Sequence, residues 1–136
     1  MNFFVYNDAN MKLACDSIVK HLTPDLLPKK WVERNASSPM FGHCHTASAC
    51  LQKLFGSKNI KLYRALDDEG IWHWWAVTSE GNKIDLTADQ YYSQGRTPPY
   101  ENGKKMSMLG FDYRKRVHKV LDLVKADLLS NGTPLQ

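Results

Sequence analysis

Three residues of this chain carry side chains that can share out thiol chemistry: Cys44, His73 and Asp85. A cysteine nucleophile needs a base to take its proton and a third group to fix the imidazole. Cys44 stands where Gly42-His43 gives way to Thr46-Ala47-Ser48-Ala49, a small-residue run that reads as a helix start. Such a start presents free backbone N–H groups and about half a unit of positive charge, and both favour a sulfur anion. His73 and Asp85 lie twelve residues apart on two strands expected to form one hairpin. Register decides whether they meet. A two-residue turn at Glu80-Gly81 pairs Asp85 near Ala76 and points it away from His73, whereas an odd-length loop near Ser79, or a bulge at Gly81, puts both on one face. Singly, each residue has a plainer reading: a packed cysteine, a hydrogen-bonded core histidine, a turn-capping aspartate. Together, in this order and on these elements, they read as a triad.

The surrounding pattern supplies the elements that would hold them. Asp8 is positioned to cap a first helix with Met11, Cys15, Ile18, Val19 and Leu22 at helical spacing, ending before Pro24. A short turn or helix over 24–30 precedes a polar loop over 33–41. The Cys44 helix carries Ala47, Ala49, Leu51 and Leu54, and Gly56 offers a positive-φ end. Strands follow at 60–66, at 71–78, where Trp72, Trp74 and Trp75 read equally as core or groove wall, and at 83–87. A short helix or turn covers 88–92, and 95–105, rich in Gly, Pro and charge, reads as a loop without regular structure. A helix over 113–129 shows Val117, Val120, Leu121, Val124 and Leu128 on one face. Helices followed by adjacent strands on short connections predict an α+β fold with an antiparallel meander.

Composition narrows the function classes. A chain of 136 residues with 43% apolar and 24% charged residues fits one soluble domain, 1–136. No apolar run approaches the ~20 residues of a membrane span, and Met1 to Tyr6 lacks the length and basic flank of a signal peptide, so a cytoplasmic protein with no membrane partner is expected. Cys15, Cys44 and Cys50 make neither an even framework nor a C-x-x-C pair, which argues against disulfides and a cysteine zinc site. Cys15 and Cys50 read as packing residues. A charge of +4, spread over 18 Lys and Arg, licenses only weak attraction to anions. Nucleic acid is disfavoured as a partner without a stacking platform or recognised motif. His43 and His45 diverge in direction at a helix start, which disfavours a metal site, and His118 beside Arg114, Lys115, Arg116 and Lys119 reads as a solvated face. There is no phosphate-binding glycine loop, and no metal or cofactor is expected.

Three pieces of the chain resemble a family of small bacterial and phage proteins similar to YunG: Pro39-Met40-Phe41-Gly42-His43-Cys44, then Gly70-Ile71-Trp72-His73-Trp74-Trp75, then Ile84-Asp85-Leu86-Thr87-Ala88-Asp89-Gln90. A weaker echo lies at Pro99-Tyr100. The resemblance runs over about 38–90. Its Cys, His, Asp order is also similar to papain-like and NlpC/P60-like thiol hydrolases, which implies a cysteine-bearing helix packed on a small antiparallel sheet. By that likeness Cys44 would be nucleophile, His73 general base and acid, and Asp85 the orienting group. The family pattern often has Asn before the proline where this chain has Ser38. An oxyanion role would then fall to the Cys44 backbone N–H with Ser38 or Asn35, and Trp75 is a candidate substrate contact.

The expectation is a thiol hydrolase or acyltransferase acting on an amide or ester, of the peptidase, amidase or deamidase class, with a peptide, protein or small amide as substrate. The alternative is a catalytically inactive papain-like binding module whose aromatic groove grips a peptide, small ligand or partner protein.

Overall fold

The computed structural model describes residues 4–107 and 115–131. Helix α1 (Asp8–Lys20) is capped by Asn7, whose side chain accepts from the Asn10 N–H at 2.8 Å, so the cap falls one residue before the expected Asp8. Its buried stripe is Asn10, Ala14, Ser17 and Ile18, while Val19 is exposed and Cys15 only half-buried at the core's edge. After a single 3-10 turn (Pro24–Leu26), the stretch expected to be a loop forms helix α2 (Lys29–Ser37), entered through Pro28. The misreading has a physical cause. Only Trp31, Val32 and Ala36 of the nine helix residues are apolar, and the helix starts after Pro28 with no side-chain cap to mark it.

Helix α3 (Cys44–Phe55) is the centre of the molecule: ten of its twelve residues are buried, from His45 to Phe55 except Lys53. It ends at Gly56, whose φ of +86° no larger side chain adopts without strain. After the short helix α4 (Asp89–Tyr92), helix α5 (Lys115–Ser130) lies against α3 and α1 and buries all five expected residues, Val117, Val120, Leu121, Val124 and Leu128. At ~1.5–3 kcal/mol for each such side chain fully buried, this face fastens the helix to the core. The expected start at Tyr113 and the tail beyond 131 lie outside the described residues. No helix among the described residues is long and apolar enough to cross a membrane.

The sheet is antiparallel with strand order β3-β2-β1-β4 for β1 (Ile60–Leu66), β2 (Trp72–Thr78), β3 (Lys83–Ile84) and β4 (Lys104–Met106). The chain is thus α+β, with one more strand than expected: part of 95–105 folds as a 3-10 turn (Tyr100–Asn102) leading into β4. The third strand is shorter than expected, leaving Asp85 just beyond its end.

Pairing sorts the sheet into two faces. Ile60 opposite Thr78, Leu62 opposite Ala76 and Met106, and Arg64 opposite Trp74 share one face, and its apolar members enter the core around α3. Ala65 opposite His73 and Tyr63 opposite Trp75 lie on the other. The β2–β3 loop holds Ser79, Glu80 and Gly81, with Thr78 N–H on the Asn82 carbonyl at 2.8 Å and Gly81 at φ +87°. This odd-length loop pairs Ala76 with Ile84, so the register carried on one step sets Asp85 opposite Trp75, on the His73 face.

Candidate functional site

The loop before Cys44 is fastened from within. Asn35 donates both amide hydrogens, to the carbonyls of Pro39 and Phe41 at 2.9 Å each, and Gly42 turns the chain at φ +87°. A methyl group on Gly42 would come within 2.8 Å of the Leu27 side chain, so close packing as well as conformation requires glycine there. The His43 carbonyl accepts from Ala47 at 3.0 Å. Helix geometry then leaves the N–H groups of residues 44–46 without a helical acceptor, beside the Cys44 sulfur.

His73 is wholly buried on β2, with its ring walled by Trp75 (centroids 5.8 Å, stacked), Tyr91 (4.8 Å, edge-on) and Tyr100 (6.5 Å). Its Nε2 lies 2.6 Å from Asp85 Oδ2, the short distance of a charge-assisted bond. The same oxygen accepts from the Tyr100 hydroxyl at 2.7 Å, while Oδ1 faces the Thr87 N–H at 3.2 Å and its hydroxyl at 3.4 Å. Gln90 donates to the Thr87 hydroxyl at 3.2 Å, and Tyr91 is anchored through its hydroxyl to Asp67 at 2.8 Å. The aspartate is therefore fixed on both oxygens before it fixes the ring.

Burial pulls the His73 pKa down, but hydrogen bonds to Asp85 and Cys44 and the charges of both outweigh it, raising the ring to about 9. A ring so placed favours the imidazolium once it has taken a proton from Cys44. Burial, reinforced by Asp85 for Tyr100 and by Asp67 for Tyr91, pushes both phenols up, so they act as donors only. The remaining ring nitrogen of His73, Nδ1, is buried without an aligned hydrogen-bond partner. The Cys44 thiol, half-buried, donates weakly at 3.8 Å to the Trp72 carbonyl, on the edge of β2 that short β3 leaves uncovered.

Cys44 opens onto a groove of about 610 Å³. Trp31, Phe41, Ile71, Trp72, Trp74 and Met106 form its apolar wall, and Lys30, Arg64, Arg116, His45 and Gln90 its polar positions. Of the expected site residues, the structure brings Cys44, His73 and Asp85 together and leaves the auxiliary ones out. Asn35 has spent both donors on the loop, Ser38 is buried, and Trp75 lies beneath Tyr100 (5.1 Å). A Cβ on Gly103 would sit 2.5 Å from the Trp75 indole, which confirms how closely that ring is covered. None of the three lines the groove. Substrate-contact candidates are instead Trp72 and Trp74, together with Arg64 and Gln90. Arg64 could have been placed from strand alternation with Leu62, and Gln90 ends a quoted motif.

Cys50 is buried below α5, which pushes its thiol up to about 12, and burial, with Asp16 adding to it, raises half-buried Cys15 to about 11. His43 is buried and held down to about 4, by desolvation first and then by the charge of Arg116. His45 packs edge-on to Trp74 at 4.8 Å. In the basic run of α5, Lys115, His118 and Lys119 are exposed as expected, but Arg116 turns to the groove; Arg114 lies outside the described residues. Asp67, Asp68 and Glu69 have spacing compatible with a cation, yet Arg96 pairs with all three and Arg34 with Glu69.

No curated protein and no solved structure matches the chain. The YunG protein family matches residues 19–128, a span from late α1 through β1–β4 into α5 and wider than the 38–90 covered by the motifs. With most of its length so matched, this chain belongs to the YunG family.

Proposed function

We propose that this protein is a thiol hydrolase or acyltransferase that opens an amide or ester bond through Cys44, His73 and Asp85, in a papain-like arrangement. The observation that carries this reading is the 2.6 Å bond from fully buried His73 to Asp85, with Cys44 at the start of α3 beside the same ring.

In the proposed reaction the Cys44 thiol turns from the Trp72 carbonyl, hands its proton to His73 Nδ1, and as a thiolate beside the imidazolium forms the S–C bond to a substrate carbonyl in the groove. The developing oxyanion lies near the helix-start N–H groups of residues 44–46. The imidazolium of His73 then passes that Nδ1 proton to the leaving amine or alcohol as the C–N or C–O bond breaks. Water or an amine then attacks the thioester and gives its proton to His73, and the thiol leaves with the acid or the new amide formed. Asp85 stays ionised and holds the ring at Nε2 throughout. The substrate would be a peptide, protein or small amide whose scissile bond reaches the mouth of the groove.

Alkylation by iodoacetamide tests the reading, with the modified residue located by mass spectrometry. Labelling of Cys44 well below pH 8 that is lost in His73→Ala supports it. A thiol that reacts only above pH 8, with or without His73, would instead favour the binding module.

A further inference from the structure

We infer that the groove beside Cys44 takes an anionic substrate, an amide or ester bearing a carboxylate next to an apolar body, with Arg64 as its anchor; this rests on the function proposed above. Three observations converge. The groove wall holds the cations Lys30, Arg64 and Arg116, and no Asp or Glu is among the described residues that line it. Arg64 is held over two indoles: its guanidinium carbon lies 4.0 Å from the Trp72 ring centroid and 5.4 Å from that of Trp74, and it has no carboxylate partner among the described residues. Arg96 shows the contrast, since it spends its charge on Asp67, Asp68 and Glu69, and Lys119 spends its own on Asp25.

A guanidinium held by ring faces rather than by a carboxylate keeps N–H donors for an incoming anion, and its fork matches a carboxylate. The same indoles give apolar area beside that fork. Lys30 adds a second positive charge at the groove, 5.4 Å from the Trp31 ring. An anion entering here meets fixed positive charge at little ordering cost. A cationic substrate meets like charge with nothing to offset it.

Paired alkylating reagents of nearly equal size test this. Iodoacetate and iodoacetamide both form an S–CH2 bond and release iodide, but only iodoacetate carries a carboxylate. Rates at Cys44 are taken at pH 9.5, where an ordinary thiol is ionised, so the ratio is readable whether or not His73 activates the sulfur. The iodoacetate-to-iodoacetamide ratio should exceed that of a small neutral thiol, N-acetylcysteine amide, by about three- to tenfold. It should fall in Arg64→Gln, fall less in Lys30→Gln, and decline toward the reference as salt is raised in the unmodified protein. A ratio equal to the reference at low salt, or one unmoved by either substitution, overturns the inference. Failure of the proposed function shows separately, as neutral-pH labelling indifferent to His73.

Discussion

Among the described residues, the pairs His21–Asp127 and His73–Asp85 differ in their surroundings, and the difference separates a clasp from a candidate site. At the junction of α1 and α5, His21 Nε2 lies 2.9 Å from Asp127 Oδ2, with Ser17 and Lys20 donating to the same oxygen at 2.7 and 3.1 Å. Those hydrogen bonds, from Ser17 first, then His21 and Lys20, hold the Asp127 carboxyl down to about 2. Both partners remain partly in water. At β2, His73 and Asp85 make a shorter bond with the ring out of water and the carboxylate nearly so, and the ring has a cysteine for its other neighbour. A histidine that meets an aspartate is common structural joinery. What distinguishes His73 is that its aspartate is fixed by Tyr100 and Thr87, and that its second nitrogen is buried next to a sulfur rather than turned to solvent or a carbonyl.

The largest effect should come from removing the two histidines in turn. His73→Ala should slow iodoacetamide labelling of Cys44 at pH 6.5 by about a hundredfold or more, the usual scale of a lost general base. His21→Ala should leave that rate within about twofold. Equal losses in both variants would show that labelling reports folding, not the site.

The aspartates sharpen the contrast at intermediate size. Asp85→Asn keeps the shape but removes the charge that raises His73, so Cys44 labelling should fall about tenfold or more and its pH profile should shift to lower pH on the His73 limb. Asp127→Asn should not touch labelling. It should cost about 1 kcal/mol in urea unfolding, since its partners are partly solvated.

The two pairs should also fail at opposite ends of the pH scale. His73 binds its proton more tightly folded (about 9) than unfolded (about 6.5), so its stabilisation is complete below pH 6.5 and lost as pH rises through 9. Asp127 is depressed to about 2 when folded, so its stabilisation is complete above about pH 4 and lost as pH falls toward 2. Buried His43, held to about 4, adds a loss of stability as pH falls from 6.5 to 4. Denaturant midpoints should therefore lose their alkaline limb in Asp85→Asn and the most acidic part of their acid limb in Asp127→Asn. An alkaline limb unchanged in Asp85→Asn would mean that His73 is not the group titrating there.

The difference between the pairs was only partly visible in the sequence. The helix start at Cys44, the three core strands and the α5 face follow from periodicity and breakers. The meeting of His73 with Asp85 could be stated only as a condition, because one residue of loop length around Gly81 decides which face Asp85 takes. Long-range partners had no local signature. Tyr100 reaches Asp85 from a stretch whose prolines and glycines read as loop, and Asn35 seemed a donor for chemistry until its amide was seen to hold the Pro39 and Phe41 carbonyls. The tryptophans were indistinguishable by composition, yet pairing sends Trp74 toward α3 and Trp75 to the opposite face.

The smallest effect tests whether the fixing of Asp85 matters or only its charge. Tyr100→Phe deletes one hydroxyl from an oxygen that also serves His73, and keeps the ring against Trp75. Losing that donor leaves more of the carboxylate's charge to His73, so the His73 limb of the labelling profile should move slightly to higher pH. The labelling rate should nonetheless fall two- to threefold or so, because Asp85 loses one of the contacts that hold it in place. Ser17→Ala makes the same cut at Asp127 and should change stability alone. If Tyr100→Phe moved the limb to lower pH, as Asp85→Asn should, the phenol would be supporting the charge of Asp85 itself, and His73 would depend on Tyr100 for its protonation as much as for its position.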